Sequence, residues 1–191
     1  MDPLARLLGS PARLKVLRLF IFNQDSLFTL EDVVARAKLT REAGRKELAA
    51  LLAAGVIKRR SGKGGVPVYS TDTTFEHLGA LDAFIRQTCI LRPEDILNAL
   101  KKAGTLKLVV LSGTFTGTVE SQIDLLVVGD ALEEKGVERV ISILEAELGR
   151  EIRYAFFTTA DFRYRLGVYD RLLRDMFDYP HRTILDKIGL K

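Results

Sequence analysis

Apolar residues recur at helical spacing three times in the first part of the chain, and each run follows a residue that caps helices. Ser10 precedes a proline, an arrangement typical of a helix start. Thr29 has Asp32 three positions later, which is a capping box with Asp in place of Glu. Thr40 precedes a third run, which Gly55 ends. The pattern therefore predicts three short helices, over about 11–22, 29–37 and 40–54.

The segment after these helices has the pattern of two short strands. Apolar stretches flank the glycine-rich turn 61–65, which predicts a hairpin with a cationic tip. Helical periodicity resumes from Phe75 to Ile85, and another helix begins at Pro93. The predicted boundaries are 1–74 for a first domain, 75–92 for a helical connector and 93–191 for a second domain.

Beyond Gly104 the pattern alternates between strand-length apolar runs and helical runs. Such alternation predicts a small sheet covered by helices, that is, an α/β layer. The predicted strands are 106–111, 123–128, 151–158 and about 183–185, and the predicted helices are 136–148, 159–166 and 170–177. The fold class expected for the whole chain is two-domain, α+β in the first part and α/β in the second.

Composition excludes several classes of protein. The chain has 191 residues, of which 47% are hydrophobic and 28% charged, as in globular domains. No apolar run reaches the roughly 20 residues that span a bilayer, and the first residues lack the pattern of a secretory signal. The single cysteine, Cys89, has no partner for an intramolecular disulfide, and two histidines provide no zinc cluster. We therefore expect a cytoplasmic protein without membrane contact.

Charge is unevenly distributed along the chain. Residues 1–75 contain 13 Lys+Arg and 7 Asp+Glu, whereas residues 76–191 contain 16 and 18. The net charge of +4 therefore combines +6 in the first part with −2 in the second. A basic excess confined to one domain predicts a polyanionic partner for that domain. In the second part, a group of arginines lies among aspartates, so a self-compensating surface is expected for Arg163, Arg165, Arg171, Arg174 and Arg182.

The run LAALLAAGVIKRRSGKGGVPVYS, residues 48–70, resembles the recognition helix and wing of winged-helix transcription regulators. Leu48, Leu51, Gly55 and Val56 keep the spacing of that family. The resemblance implies a winged helix-turn-helix domain whose third helix enters the major groove of double-stranded DNA. It also implies that the helix and the wing contact DNA mostly at its phosphates.

The resemblance assigns DNA contacts to the exposed positions of this helix and wing. They are Arg41, Glu42, Arg45, Lys46, Arg59, Arg60 and Lys63. Gly44 departs from the family pattern, which has an apolar side chain there. Either the helix packs closely against a neighbour or the motif is weakened. Some winged helices act instead as dimerisation or protein-docking modules, and this alternative stays open. A homodimer is expected, since such regulators read two half-sites.

The stretch LVVLSGTFTGTVESQIDLLVV, residues 108–128, places a polar glycine turn between two apolar runs. It resembles the small, minimal form of the nucleotidyltransferase superfamily, whose next strand carries two acids separated by one position. Because alternate residues of a strand face the same way, two such acids can hold one Mg²⁺. The resemblance implies a mixed sheet with flanking helices and a nucleotide-binding set: Gly113, Thr114, Ser121, Gln122 and Asp124.

The acidic set of that family is incomplete in this chain. Gln122 stands at the position of the first acid, and Asp124 stands at the second. The strand that would supply a third acid offers Arg153 and Tyr154 instead. Loss of anionic ligands weakens both Mg²⁺ binding and the stabilisation of a transferring phosphoryl group. No catalytic or metal-binding residue is therefore assigned beyond the residual Asp124, and no cofactor is expected, except Mg²⁺ if the site is active.

Together the two resemblances predict a dimeric DNA-binding transcription regulator. Its second domain is expected to be a pseudoenzyme that binds a nucleotide or another small phosphate compound, or that serves assembly. The alternative is an active minimal nucleotidyltransferase, one member of a toxin–antitoxin pair, that modifies a protein or RNA.

Overall fold

The computed structural model describes residues 2–89, 91–118 and 120–190. These residues form a mixed α/β protein with helices and two small sheets. The chain divides into two compact units, the first comprising Met1–Ile90 with Ser142–Glu151 and the second Leu91–Ile141 with Ile152–Lys191. Among the described helices, none is both long enough and apolar enough to cross a membrane.

The first unit begins with helices and continues with a hairpin and a further helix. Its elements are α1 (Pro3–Leu7), α2 (Pro11–Phe22), α3 (Leu30–Ala37), α4 (Arg41–Ala53), β1 (Ile57–Ser61), β2 (Pro67–Thr71) and α5 (Leu78–Thr88). The strands β1 and β2 pair antiparallel, and the 3-10 turn Lys63–Gly65 lies between them. The three predicted helices and the hairpin are confirmed as elements, whereas the sequence pattern does not predict α1.

Side-chain caps begin the helices where the sequence places them. The hydroxyl of Ser10 accepts a hydrogen bond from the third amide of α2 at 3.1 Å, and that of Thr40 from the third amide of α4 at 3.2 Å. At α3 the capping box is complete, since Thr29 and Asp32 each accept a hydrogen bond from the backbone N–H of the other. Each cap satisfies an amide that would otherwise lack a partner inside the helix.

Gly44 allows α3 and α4 to approach each other closely. A Cβ atom at this position would lie 2.8 Å from Cγ2 of Val34 and 3.3 Å from Cδ1 of Leu30. Of the two alternatives for this glycine, close packing against a neighbouring helix is therefore the one that the structure bears out.

An ion pair with a buried carboxylate joins α4 to the start of α2. Glu47 is only 2% exposed, although its sequence pattern does not place it on the buried face of its helix. Its carboxylate accepts hydrogen bonds from Oγ of Ser10 at 2.7 Å and from Nε of Arg13 at 2.9 Å. These donors, one of them charged, offset the free-energy cost of burying the carboxylate.

Residues 142–151, which the predicted boundaries place in the second domain, group with the first unit. The buried guanidinium of Arg18 donates from Nη1 to the carbonyl oxygen of Glu147 at 3.0 Å. The side chain of Asn23 donates to the carbonyl oxygen of Gly149 at 2.7 Å. A Cβ atom on Gly149 would collide with the backbone of Arg18, so this contact requires glycine.

The second unit contains a four-stranded sheet and its helices. Its elements are α6 (Pro93–Leu100), β3 (Thr105–Leu111), β4 (Leu125–Asp130), α7 (Glu134–Leu148, which continues into the first unit), β5 (Tyr154–Phe157), α8 (Thr159–Gly167), α9 (Arg171–Asp178) and β6 (Arg182–Asp186). The strand order is β5–β4–β3–β6, with β4 and β5 parallel and the other pairs antiparallel. Phe162, Leu173 and Met176 from α8 and α9 pack against the apolar side chains of the sheet.

The alternation of strands and helices predicted for this region is confirmed. The strand β4 begins later than predicted, at Leu125, so Gln122 and Asp124 precede the strand. This shift matters because the expected arrangement of two ligands on one strand face does not apply to residues outside the strand.

Replacing Glu47 with alanine is expected to lower the free energy of unfolding of the first unit by about 2 kcal/mol, because Ser10 and Arg13 lose a buried acceptor. Urea denaturation followed by circular dichroism measures this change. The control is Lys46→Ala at the neighbouring exposed position of α4, which should change the free energy by no more than about 0.5 kcal/mol. Equal stability of the two variants would contradict the role given to Glu47.

Candidate functional site

The carboxylate of Asp124 is buried, with 1% of the residue exposed, and protein donors surround it. Its Oδ1 accepts a hydrogen bond from the backbone N–H of Thr114 at 2.7 Å and one from Nη2 of Arg153 at 2.9 Å. Its Oδ2 accepts from the backbone N–H of Arg153 at 2.9 Å and from Nε of the same residue at 3.0 Å. The pair is thus a bidentate carboxylate–guanidinium contact reinforced by two amides.

Backbone contacts place Asp124 at the meeting point of two strands and a turn. Its carbonyl oxygen accepts from the amide of Ser112, which follows β3, and its amide donates to the carbonyl oxygen of Arg153, which precedes β5. The 3-10 turn Gly113–Phe115 lies directly over the carboxylate. Gly113 has φ +49°, and a Cβ atom there would collide with the carboxylate of Asp124. This turn therefore requires glycine for both conformation and space.

The electrostatics of the pair favour its ionised form. Burial alone would raise the pKa of Asp124, but hydrogen bonds from Arg153 and from Thr114 outweigh burial and lower the pKa below its usual range. The same contact raises the pKa of Arg153, chiefly because the guanidinium donates to the Asp124 carboxylate. Both groups are therefore charged at neutral pH, and each neutralises the other.

The geometry around Asp124 does not fit the Mg²⁺ that the nucleotidyltransferase resemblance implies. Both of its oxygens already accept hydrogen bonds, so a cation would have to displace the guanidinium of Arg153. No group of three or more His, Cys, Asp or Glu suited to a metal occurs in the described part of the chain. The guanidinium supplies positive charge at the carboxylate where the resemblance implies a metal ion.

The other members of the predicted nucleotide-binding set lie on different sides of the turn. Ser121 is buried, and its hydroxyl donates to the carbonyl oxygen of Ile123 at 2.8 Å while accepting from the hydroxyl of Ser112 at 3.1 Å. Gln122 is exposed, and its backbone N–H donates to Oδ2 of Asp175 at 2.9 Å. The structure therefore brings Gly113, Thr114 and Asp124 together, whereas Gln122 is exposed and its backbone N–H contacts Asp175.

A second candidate site lies on α4 and the hairpin of the first unit. One face of α4 is buried through Gly44, Glu47, Leu48 and Leu51. The exposed surface of this helix carries four of the residues predicted to contact DNA: Arg41, Glu42, Arg45 and Lys46. The other three predicted residues are exposed on β1 and the hairpin turn: Arg59, Arg60 and Lys63.

The start of α4 and the second arm of the hairpin line one open cleft of about 520 Å³. Arg41 and Arg45 form its helical side, and Val66 and Tyr69 lie on its hairpin side. Glu31 of α3 also lines the cleft. Its Oε1 forms an ion pair with Nη2 of Arg41 at 2.7 Å. The predicted helix and hairpin residues are therefore exposed on elements that border the same cleft.

Most cations of this site have no acidic partner. Arg41 pairs with Glu31, but the remaining five predicted cations form no ion pair with any described residue. We call these five the cationic face; they are Arg45, Lys46, Arg59, Arg60 and Lys63. Charges without internal partners remain available to an external polyanion.

No protein-family model, curated protein or solved structure matches this chain. The two family resemblances therefore rest on the motif residues themselves. At the cationic face, the exposure of the predicted residues accords with the winged-helix resemblance, whereas at Asp124 the partner differs from the one that the nucleotidyltransferase resemblance implies.

Sequence reasoning missed the role of Arg153. The sequence marks Arg153 only as a departure from an expected acid, whereas the structure makes it the partner of Asp124. The feature that would have indicated this contact is the parallel alignment of β4 with β5 in the structure, which brings the residues just before these strands together. An Arg at the start of one strand and an Asp at the start of its parallel neighbour would then suggest an ion pair.

Replacing Asp124 with asparagine is expected to lower the free energy of unfolding of the second unit by about 2 kcal/mol at pH 7, because the bidentate contact with Arg153 is lost. The pKa of Asp124 is lowered on folding, so its stabilising contribution is complete above the ordinary value of 3.8 and is lost as the pH falls through the folded pKa. The difference between wild type and variant should therefore shrink below about pH 4.

Urea denaturation at pH 7 and at about pH 3 measures this difference. The control is Asp178→Asn, which changes an exposed carboxylate of the same unit and should have an effect of no more than about 0.5 kcal/mol. An Asp124→Asn effect that is independent of pH would exclude the proposed role of its charge.

Proposed function

We propose that the first unit binds double-stranded DNA through α4 and the hairpin, as a winged helix-turn-helix, and that the protein is a transcription regulator. The observation that carries this proposal is the cationic face, whose five side chains are exposed and form no ion pair with described residues. Two adjoining elements that present unpaired cations suit the phosphate rows on either side of a DNA groove.

The orientation of α4 supports contact through its first turns. Its buried positions pack toward α2 and α3, which leaves the side of Arg45 and Lys46 free. Arg59 and Arg60 are adjacent on β1 and both exposed, because β1 is buried only at its first residue, Ile57. In this proposal the helix occupies the major groove while the hairpin follows the neighbouring backbone.

Glu42 has a distinct part in this proposal. A carboxylate repels phosphates, so Glu42 is expected to face base edges at the floor of the groove, where it can accept a hydrogen bond from the N4 amino group of cytosine. Its exposed position at the start of α4, beside Arg41 and Arg45, supports this orientation. Glu42 would then contribute sequence preference, and the cationic face would contribute affinity.

For the second unit we propose a structural part in the regulator, without transferase chemistry. The support is the pairing of Asp124 with Arg153 and the internal hydrogen bonds of Ser121, which commit these polar groups to the protein itself. Binding of a small phosphate compound at the turn and formation of a homodimer stay predictions. Sedimentation of the DNA-free protein tests the second of them.

Duplex DNA of mixed sequence is expected to shift in a mobility assay with the full chain, and the shift should weaken as salt rises. The double variant Arg45→Ala/Arg59→Ala should bind at least about tenfold more weakly, and the slope of log affinity against log salt should fall by about two. The matched control is Lys135→Ala/Arg139→Ala, which removes two exposed cations from α7. No binding at low salt, or equal loss in the control, would overturn the DNA proposal.

Incubation with labelled nucleoside triphosphates and Mg²⁺ or Mn²⁺ is expected to yield no label on protein or RNA beyond that obtained with Asp124→Ala. The physical reason is that Arg153 occupies the carboxylate that a metal ion would need. The variant serves as its own background control. Label that depends on Asp124 would instead support the active nucleotidyltransferase alternative.

A further inference from the structure

A second surface of unpaired charge lies in the second unit, where α8 ends and α9 begins. Its exposed side chains include two aromatic rings: Tyr164 is 72% exposed and Tyr169 is 82% exposed. Val168, between them, is 55% exposed. We call residues 163–174 the Tyr/Arg surface. Aromatic rings this exposed gain little from packing within the chain.

The turn that presents the two rings is held by several contacts. The amide of Val168 donates to the carbonyl oxygen of Tyr164 at 3.1 Å, and the amide of Asp170 donates to that of Arg165 at 3.0 Å. The side chains of Arg165 and Asp170 also form an ion pair at 2.8 Å. Asp170 in addition caps α9, since its carboxylate accepts from the amide of Leu172 at 2.9 Å. These contacts hold the backbone of the turn that carries both tyrosines.

Tyr169 adopts a backbone conformation that side chains other than glycine seldom adopt. Its φ is +54°, in the left-handed region. This conformation is unfavourable for a residue with a side chain, yet the ring that it positions is exposed. The strained backbone at Tyr169 therefore does not bury the ring of Tyr169 within the chain.

The sequence predicts a self-compensating surface for the arginines of this surface, and the structure shows one ion pair among residues 163–174, between Arg165 and Asp170. Residues 163–174 contain four arginines and a single acid, Asp170. Asp170 forms its ion pair with Arg165. The other three arginines, Arg163, Arg171 and Arg174, form no ion pair with any described residue. Two neighbouring aspartates accept hydrogen bonds from within the unit: Asp161 from the hydroxyl of Thr158, which caps α8, and Asp175 from the backbone N–H of Gln122. Three guanidinium groups without ion pairs among the described residues therefore lie in the same twelve-residue segment as the two rings.

We propose that the Tyr/Arg surface binds single-stranded nucleic acid, with bases stacked on Tyr164 and Tyr169 and phosphates bound by Arg163, Arg171 and Arg174. A single strand offers flat rings and negative charges in alternation, which matches exposed phenol rings among unpaired guanidinium groups. In a duplex the faces of the bases are stacked inside, so the tyrosines would find no partner. An acidic polypeptide offers charge but no regular series of flat rings.

This site is separate from the one proposed for duplex DNA, because all of its residues lie in the second unit. The unpaired cations of the duplex site belong to α4 and the hairpin. The two proposals can therefore fail independently.

Anisotropy of fluorescein-labelled 12-nucleotide oligo-dT and oligo-U, titrated with the full chain, tests the proposal and shows whether DNA or RNA binds better. Tyr164→Ala/Tyr169→Ala is expected to weaken binding at least fivefold, because base–aromatic stacking is lost. Tyr164→Phe/Tyr169→Phe should restore affinity to within about twofold, since a phenyl ring also stacks. Replacing Arg163, Arg171 and Arg174 with glutamine should reduce the salt slope by about two.

Intrinsic fluorescence provides a second readout. The chain contains five tyrosines and no tryptophan, so unlabelled oligonucleotide should quench tyrosine emission directly. This quenching should be much smaller in the double Tyr→Ala variant. Thermal melting tests whether the variants stay folded, which is expected for substitutions of exposed side chains.

Two controls test whether the single strand binds at the Tyr/Arg surface and whether its bases contribute. Lys135→Ala/Arg139→Ala should leave oligonucleotide binding unchanged, and Arg45→Ala/Arg59→Ala should weaken it less than Tyr164→Ala/Tyr169→Ala does. A larger loss in Arg45→Ala/Arg59→Ala would place the single strand on the duplex site and overturn the proposal. Poly-L-glutamate should compete poorly at equal charge. If it competes as well as oligo-dT, or if Tyr→Ala has no effect, the surface recognises charge alone, as for an acidic protein, and the nucleic-acid assignment is wrong.

Discussion

The carboxylate of Asp124 is the point on which the second unit depends. The side chain of Asp124 contacts the glycine turn and the residue before β5. Its backbone, at the start of β4, is bonded to the residue after β3 and again to the residue before β5. A buried carboxylate is tolerable only if it is neutralised and its lone pairs are used, and Arg153 with the Thr114 amide meets both conditions. Gly113 follows from the same constraint, since a side chain there would occupy the space of the carboxylate.

This solution determines what the turn can do. In a metal-dependent site, carboxylates converge on a cation that remains open to substrate. Here the positive charge is a guanidinium fixed to the chain, and it satisfies Asp124 without leaving a coordination position free. The Asp124–Arg153 pair joins the glycine turn to the ends of the apolar strands. The resulting interactions stabilise the sheet at the edge where chemistry would otherwise occur.

Local elements of the fold could be predicted because their causes lie within a few residues. A capping side chain acts on an amide three positions away, and helical periodicity acts within one helix. Arg153 could not be identified as the partner of Asp124, because their contact depends on the parallel pairing of strands separated by the whole of α7. Glu47 was missed for a similar reason: only donors from α2 make its burial favourable. The exposed cations of α4 and the hairpin were predicted correctly as exposed, because amphipathic patterns report exposure directly.

A count of charged residues describes a surface poorly when other groups of the same chain bind many side chains of one sign of charge. The second part of the chain is net acidic by count, yet residues 163–174 expose three arginines without ion-pair partners among the described residues. The count misleads because several aspartates are committed internally: Asp124 to Arg153, Asp170 to a helix cap and to Arg165, and Asp175 to a backbone amide. An acid that pairs with a guanidinium is neutralised by it, whereas an acid that accepts from a backbone amide, as Asp175 does, keeps its negative charge. Which charged side chains remain unpaired therefore depends on contacts between distant residues, and a count of charged residues does not record those contacts.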